Sequence, residues 1–312
     1  MKYFLGLDTS NYTSSLAVCS AEGEVVQNIR LPLPVKEGQM GLRQSDACFL
    51  HVKNFSELTT SILGGIPVGD VLAVGVSDRP RDVEGSYMPC FLVGLSSATL
   101  IANLLGLPLY RFSHQQGHIA AALYGGGALA YLQKPFLAFH VSGGTTEAVL
   151  VEPDGERICK TTYLAGSLDL KAGQAVDRVG GLLGLPFPAG PALDKLACQS
   201  EKRYRARPTF KDCDCCLSGV ENQCRKMLAQ GEAPADVARY CLDYLLAALD
   251  GMTARLLEKL GPLPVLYSGG VMSNSILSAA LSQTYGGGCA PANFSSDNAA
   301  GIALLCRERW GR

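Results

Sequence analysis

An α/β chain of two related lobes is predicted by three observations. Two strand–turn–strand units of the same design open at Phe4 and at Phe136. Between and after them, short apolar runs alternate with segments of helical periodicity, the pattern of mixed α/β architecture. With 312 residues, 47% apolar and 18% charged, the chain is too long for one ordinary core and apolar enough for two. The expected lobes are 1–133 and 134–294, with a last helix, 295–312, returning to pack on the first lobe.

The elements follow in order. "FLGLDTSNYTSSLAV", Phe4 to Val18, is an apolar β-rich run, a turn of small polar residues and a second apolar run. Met88 to Tyr110 carries no charge, but Ser96, Ser97, Thr99, Asn103 and Pro108 interrupt it, so it reads as a buried core helix rather than a membrane span. "FSHQQGH" places His114 and His118 four apart, on one helix face. That spacing lets two imidazoles reach one ion, although the zincin glutamate is missing. Alone, the pair reads more simply as two helix-surface or core histidines.

The second hairpin is "FLAFHVSGGTTEAVLV", Phe136 to Val151. Its turn, like that of Thr9, Ser10 and Asn11, offers hydroxyls and open backbone N–H groups that could cradle a phosphate, with a nucleotide held between facing turns. "AVDRVGGLLGLPFPAGPALDKLA" reads helix, Pro-Gly loop, helix, with Asp177 and Asp194 flanking the loop that holds Gly190. "EKRYRARPTFK" sets Lys202, Arg203, Arg205, Arg207 and Lys211 among Tyr204 and Phe210; it reads as a solvated charged loop, with RNA phosphate contact and base stacking as the functional alternative. "CDCC", Cys213 to Cys216, lacks a second CxxC half and reads as a half-buried strand rather than a zinc site. Asp236 to Gly261 is a long amphipathic helix with a glycine stop. In "VLYSGGVMSN" an apolar run enters a helix through Gly269 and Gly270, a recurrent nucleotide contact. Ser295, Ser296, Asp297 and Asn298 precede an apolar helix and read either as its N-cap or as the place of a carboxylate ligand. Two histidines and one carboxylate suit iron or zinc with positions left open. In the tail, Trp310 is expected to pack the last helix.

Composition bounds the function. A net charge of −1 gives no global field toward nucleic acid or membrane, so any RNA contact must be a local patch. The opening "MKYFLGLDTS" does not read as a signal peptide, and the twelve cysteines are expected to stay reduced in a soluble, cytoplasmic protein.

Taken together, the hairpin, "HQQGH", "VSGGTTE", the Ala172–Ala197 segment, "SGG" followed by "VMSN", and "SSDNAAGIA" occur in the order and spacing of one family. The chain resembles the TsaD-type tRNA threonylcarbamoyladenosine transferases, formerly described as O-sialoglycoprotein endopeptidases, over essentially its whole length. The resemblance implies the two-lobed actin/Hsp70/sugar-kinase-like fold. It implies that His114, His118 and Asp297 hold one divalent metal, and that Ser142, Gly143, Gly144 and Thr145 form a nucleotide and substrate loop. Asp177, Gly190 and Asp194 would lie around a ribose, with Gly269, Gly270 and Asn274 as further contacts to an adenine nucleotide (ATP, AMP or an acyl-AMP). The implied reaction moves threonylcarbamoyl from its AMP anhydride to N6 of adenosine in tRNA. A carbamoyl or phosphoryl transferase with a small-molecule acceptor, and a non-catalytic partner subunit, are the alternatives. A homodimer, or a heterodimer with a related two-lobed subunit, is the expected assembly.

The chain departs from the family at several places. Where members read "ETSCDET" this chain has "DTSNYTS", so Tyr12 and Thr13 replace an acidic pair. Glu221 stands at a lysine position, Leu170 at the second aspartate of "DDAAGEAFD", and Asp78 to Gly94 lacks a Gly-Pro-Gly segment. Asp8 and Tyr12 are the candidate catalytic residues. A phenol, with a reference pKa of about 10, is a poor base at neutral pH, so slow transfer to tRNA or another acceptor is expected.

Overall fold

The computed structural model describes residues 1–34, 42–63, 65–286, 288–289, 294 and 297–312. The chain divides into two compact units, Met1–Gln133 with Glu152–Thr161 and Asn293–Arg312, and Lys134–Val151 with Thr162–Ala292.

In the first unit the chain runs β1 (Tyr3–Ser10), β2 (Thr13–Ser20), β3 (Val25–Pro32), α1 (Gln44–Leu63), β4 (Val71–Arg79), α2 (Phe91–Leu105), β5 (Leu109–Ser113) and α3 (His114–Gly125). The strands form one sheet in the order β3-β2-β1-β4-β5. Strands β1 and β2 are antiparallel, with Ser10 opposite Thr13, so Asn11 and Tyr12 form a two-residue turn. Strand β4 is parallel to β1, and β5 to β4. Beyond its first residue each strand of the β1–β2 pair is wholly buried, because helices cover both faces of the sheet. One face packs Leu5, Leu7, Leu16 and Val18 against Leu58 and Ile62 of α1 and Ala98 and Ala102 of α2. The other receives the final helix, α9 (Ala300–Trp310), whose backbone comes so close that a Cβ on Gly6 would lie 2.5 Å from the Ala303 nitrogen.

The second unit holds β6 (Phe136–Val141), most of the hairpin β7 (Thr146–Asp154) and β8 (Ile158–Gly166), α4 (Ala172–Leu182), α5 (Gly190–Ala197), β9 (Thr209–Lys211), β10 (Asp214–Cys216), α6 (Gly219–Ala229), α7 (Pro234–Leu260), β11 (Val265–Ser268), α8 (Ser275–Tyr285) and β12 (Gly288–Cys289). Its main sheet has the order β12-β11-β6-β7-β8. Read from β8, that order repeats the first sheet: a β6–β7 antiparallel hairpin beside a third strand, with β11 parallel to β6 and β12 parallel to β11. The duplication suggested by two hairpins therefore extends to five strands. The core of this unit joins Leu137, Phe139 and Tyr267 of the sheet to Leu242, Leu245, Leu249 and Met252 of α7.

One sequence expectation changes. Helix α2 is not a buried core helix: Leu92, Leu100 and Leu104 are exposed, Leu104 by 75%. It packs through the small residues Gly94, Ala98 and Ala102, four apart on one face, and turns its leucines outward. None of the helices among the described residues is long and apolar enough to cross a membrane. Cys213 and Cys215 are buried at β10 and belong to no metal-binding cluster among the described residues. Trp310 is 48% exposed and meets Phe4 edgewise, with centroids 5.5 Å apart.

Candidate functional site

Helix α3 starts at His114 because Ser113 caps it. The Gln116 backbone N–H donates to Ser113 Oγ (3.2 Å) and the Ser113 N–H donates to Gln116 Oε1 (2.7 Å), a reciprocal capping box. Both histidines therefore lie on the first turns of a fixed helix. Their Nε2 atoms are 2.9 Å apart; Asp297 Oδ1 lies 3.1 Å from that of His118 and 3.5 Å from that of His114. Among the described residues this is the one group able to hold a metal ion.

Asp297 reaches the histidines because α9 crosses α3 at two glycines. A Cβ on Gly301 would lie 1.8 Å from the Gly117 carbonyl oxygen. The Asn298 side chain accepts from the Ala300 N–H (3.0 Å) and so helps fix the entry to α9. Ser295 and Ser296, the other half of the expected N-cap, lie outside the described residues.

The donor set fits an ion. Two atoms bound to one metal at about 2.1 Å lie about 3.0 Å apart at right angles and about 3.4 Å apart in a tetrahedron. The three observed separations, 2.9, 3.1 and 3.5 Å, fall around these values. Behind the ring, Asp8 Oδ1 is 2.9 Å from His114 Nδ1 and also accepts from Ser77 Oγ, while Asp8 Oδ2 is buried without a hydrogen-bond partner. A carboxylate on Nδ1 fixes the tautomer that turns the Nε2 lone pair toward the other ligands. Ser10 Oγ donates to Asp297 Oδ2 (2.9 Å), leaving Oδ1 to face both imidazoles. Burial opposes charge on His114, but the charge of Asp8 and hydrogen bonds with Asp297 and Asp8 outweigh it and hold its pKa well above the ordinary value. Burial likewise opposes the Asp297 carboxylate, and hydrogen bonds from His114 and His118 override it, holding that carboxyl well below its usual range.

In the second unit a cavity of about 480 Å³ is lined by Gly143, Asp177, Gly190, Asp194, Gly270 and Asn274, among others. The turn from Ser142 to Thr145 is closed by the Ser142 N–H to Thr145 O bond (2.7 Å) and the Thr145 N–H to Ser142 Oγ bond (3.1 Å). The start of α4 abuts it: the Gly173 N–H donates to Ser142 O (3.1 Å), and the Ala172 N–H to Thr146 Oγ1 (2.8 Å). Asp177 Oδ1 accepts from the Ala189 N–H (2.8 Å) and so pins the Pro-Gly loop. Asp194 accepts from the backbone and hydroxyl of Ser275 (3.0 and 2.9 Å), and Asn274 Oδ1 caps α8 by accepting from Ile276 and Leu277 (3.1 and 3.0 Å). At Gly269, with φ +99°, a Cβ would lie 2.3 Å from Val141 O, so the turn from β11 admits only glycine.

Of the residues singled out in sequence, Ser142, Gly144, Thr145 and Gly269 are not among those lining the cavity; they shape its turns. Asp8 stands behind His114, and Tyr12 is 44% exposed at the tip of the first turn, two residues beyond Ser10. Sequence reasoning missed Ser77 as a positioning residue, since a serine near a strand end carries no signal of its own, and read Thr146 only as one hydroxyl of the second turn. Ser10 was legible only as part of a polar turn.

The comparisons agree with this arrangement. Residues 45–304 match the family TsaD, described as tRNA N6-adenosine threonylcarbamoyltransferase. A protein of that name from Caulobacter vibrioides is 30% identical over 279 residues, covering 83% of this chain and 72% of the relative. Another from Streptococcus pneumoniae is 29% identical, covering 100% and 93%. Among solved structures, HypF from T. kodakarensis superposes with a TM-score of 0.62 at 15% identity over 99% of this chain and 48% of its own. Component A of the (R)-2-hydroxyglutaryl-CoA dehydratase of Acidaminococcus fermentans does so at 0.55 and 14% identity over the full length of both. These likenesses show the actin/Hsp70/sugar-kinase-like fold. With five-sixths of its length inside the family match, the chain belongs to the TsaD family of tRNA N6-adenosine threonylcarbamoyltransferases.

Proposed function

We propose that this protein transfers threonylcarbamoyl from threonylcarbamoyl-AMP to N6 of adenosine in tRNA. The observation that carries the reading is the His114–His118–Asp297 group, assembled from two distant segments of a chain that belongs to this family. These residues would hold one divalent ion, iron or zinc, which when bound supplies Lewis-acid polarisation and a template for the transferred group or a phosphate. Asp8 orients His114 and Ser10 orients Asp297, so the ligand atoms are pre-arranged. That geometry suits Asp8 to positioning rather than to proton abstraction.

In the second unit the cavity would take the adenine nucleotide. The amide of Gly143, on the cavity wall, would face phosphate, where a fixed N–H dipole steadies the charge of departing AMP. The Asp177 carboxylate would accept from ribose hydroxyls, and Gly190 and Gly270 leave room for the nucleoside. In the transfer, the adenosine amine bonds to the carbamoyl carbon, the bond to the AMP phosphate breaks, and AMP leaves with its electron pair. Tyr12 and Thr13 stand where relatives carry acids, so the amine proton finds no carboxylate on this turn and passes to water. A related two-lobed subunit, or a second copy, would pair through the exposed apolar residues Phe49, Val52, Leu100 and Leu104. Neither the small-molecule acceptor nor the purely scaffolding role is favoured by the family match. Incubating the purified protein with threonylcarbamoyl-AMP and unmodified tRNA, then digesting and weighing the nucleosides, tests the proposal; metal- and nucleotide-loaded protein that forms no threonylcarbamoyladenosine rejects it.

A further inference from the structure

The segment from Ser200 to Lys211 leaves the end of α5 and runs along α7 to β9. It is fixed from one side. Ser200 Oγ donates to Asp236 (2.6 Å), and Lys202 Nζ meets Asp236 and Glu232 (both 2.8 Å). The Tyr204 N–H donates to Asp243 Oδ2 (2.9 Å), whose other oxygen is paired with the buried Arg239 at 2.9 Å. Tyr204, Ala206 and Phe210 pack on the core of the unit. The Tyr204 ring meets Tyr240 edgewise at 5.4 Å, and Phe210 lies under the Arg255 guanidinium at 3.9 Å.

The alternate residues, Arg203, Arg205, Arg207, Thr209 and Lys211, are all exposed. A strict in–out alternation is the mark of extended backbone, in which side chains two apart lie about 7 Å from each other. Among the described residues the side chains of Arg205, Arg207 and Lys211 make no ion pair or hydrogen bond, and that of Arg203 meets only the Lys202 carbonyl. Of the acids in and bordering this segment, Glu201 is exposed and Asp212 is held by Lys259 at 2.5 Å. The stacking role that the sequence offered to Tyr204 and Phe210 is closed, because both rings face the core.

We infer that Arg203, Arg205, Arg207 and Lys211 form a rigid cationic row that grips successive phosphates of one tRNA strand; this names the contact for the substrate of the proposed function and rests on that reading. A guanidinium takes a phosphate as a two-pronged donor, and a docked backbone means that little order is lost when the row is filled. The repeat of the row is that of a polyanion with regularly spaced charges, which favours a nucleic-acid backbone over an acidic protein surface. With no exposed ring in the row, the contact reads charge spacing and not base identity.

The test is tRNA binding by fluorescence anisotropy across a potassium chloride series, for wild type and for R203A/R205A/R207A, with AMP calorimetry as the check that the unit is folded. The expected result is at least a tenfold loss of affinity at low salt, and a plot of log K against log salt shallower by about 2, from roughly 0.7 per lost phosphate contact. A lysine triple variant should keep most of the slope. A variant that binds AMP normally and tRNA with unchanged affinity and slope overturns the row, as does loss of binding to a polyglutamate probe with tRNA binding intact. Wild type that binds tRNA through the row without modifying it supports the row and rejects the transferase reading. Absence of any wild-type affinity for tRNA overturns the row.

Discussion

Replacing Gly301 by alanine should dismantle the metal group without touching any ligand. The new Cβ would fall 1.8 Å from the Gly117 carbonyl oxygen, 2.7 Å from its carbon and 2.8 Å from the Ala121 nitrogen. A carbon and an oxygen in contact settle at about 3.3 Å, so α9 and α3 must separate by about 1.5 Å. Ligand atoms tolerate errors of only about 0.2 Å, and Asp297 is carried by the segment that moves. Overpacking costs about 1–3 kcal/mol, and up to about 1 kcal/mol returns because alanine is the better helix former. The net loss, up to about 3 kcal/mol, predicts a Tm lower by up to about 12 °C. Zinc or iron content, measured on tag-free protein, should fall at least tenfold. Gly181→Ala is the matched control: it too lies in a helix, but its Cβ would meet nothing within 4 Å, so it should leave metal content unchanged and stability equal or slightly higher. Wild-type metal content and Tm in Gly301→Ala would refute the helix-crossing argument.

Four further outcomes are expected. His114→Ala and Asp297→Ala should each abolish stoichiometric metal on elemental analysis while preserving AMP binding; unchanged metal content rejects the site. Gly143→Val, whose branched side chain would stand in the cavity wall, should weaken AMP binding at least tenfold by calorimetry, with guanine nucleotides binding worse than adenine in wild type. Burial of His51 pushes its pKa below 6.5 and outweighs the opposing pull of the Ser10 backbone and the Asp8 charge. The folded state therefore binds this proton less readily than the unfolded chain: the stability is present above pH 6.5 and lost as pH falls through the depressed folded value. Urea titrations at pH 7.5 and 5.0 should show a smaller acid loss for His51→Gln than for wild type, and equal losses contradict the assignment. Tyr12→Asp with Thr13→Glu should raise the rate of tRNA modification, whereas Tyr12→Phe should not; fast wild-type transfer unaffected by either pair of changes removes any role for the turn.

Periodicity and turn chemistry carried most of the architecture. The two hairpins, the long helix from Asp236 and the glycine turns are local features, and local features survive in a bare string. The repeated five-strand order was less visible, because parallel partners such as β1 and β4 are joined through sixty residues of intervening chain. Helix α2 misled because an uncharged run says how apolar a helix is and not which face is covered; Gly94, Ala98 and Ala102 made the small-residue face the buried one. At the candidate site the ligand types were legible from spacing and resemblance, but the supports were not. Nothing in the string joins Asp8 to His114, or Ser10 to Asp297, across separations of 106 and 287 residues. The basic run was legible as charge, whereas its alternation became meaningful only once Lys202, Tyr204 and Phe210 were seen to be held by α7.

The first unit is interrupted in sequence by the whole of the second, and its last ligand comes 179 residues after His118. On a ribosome adding about 5–20 residues per second, the two histidines would emerge roughly 10–35 s before the aspartate. Through that interval α3 has no α9 to cross, the face of the first sheet that α9 covers is bare, and an ion would find two of the three proposed ligands. Tight capture of an ion at the proposed site would thereby be a late event of synthesis, available only to chains that have carried translation through the second unit and back to the first.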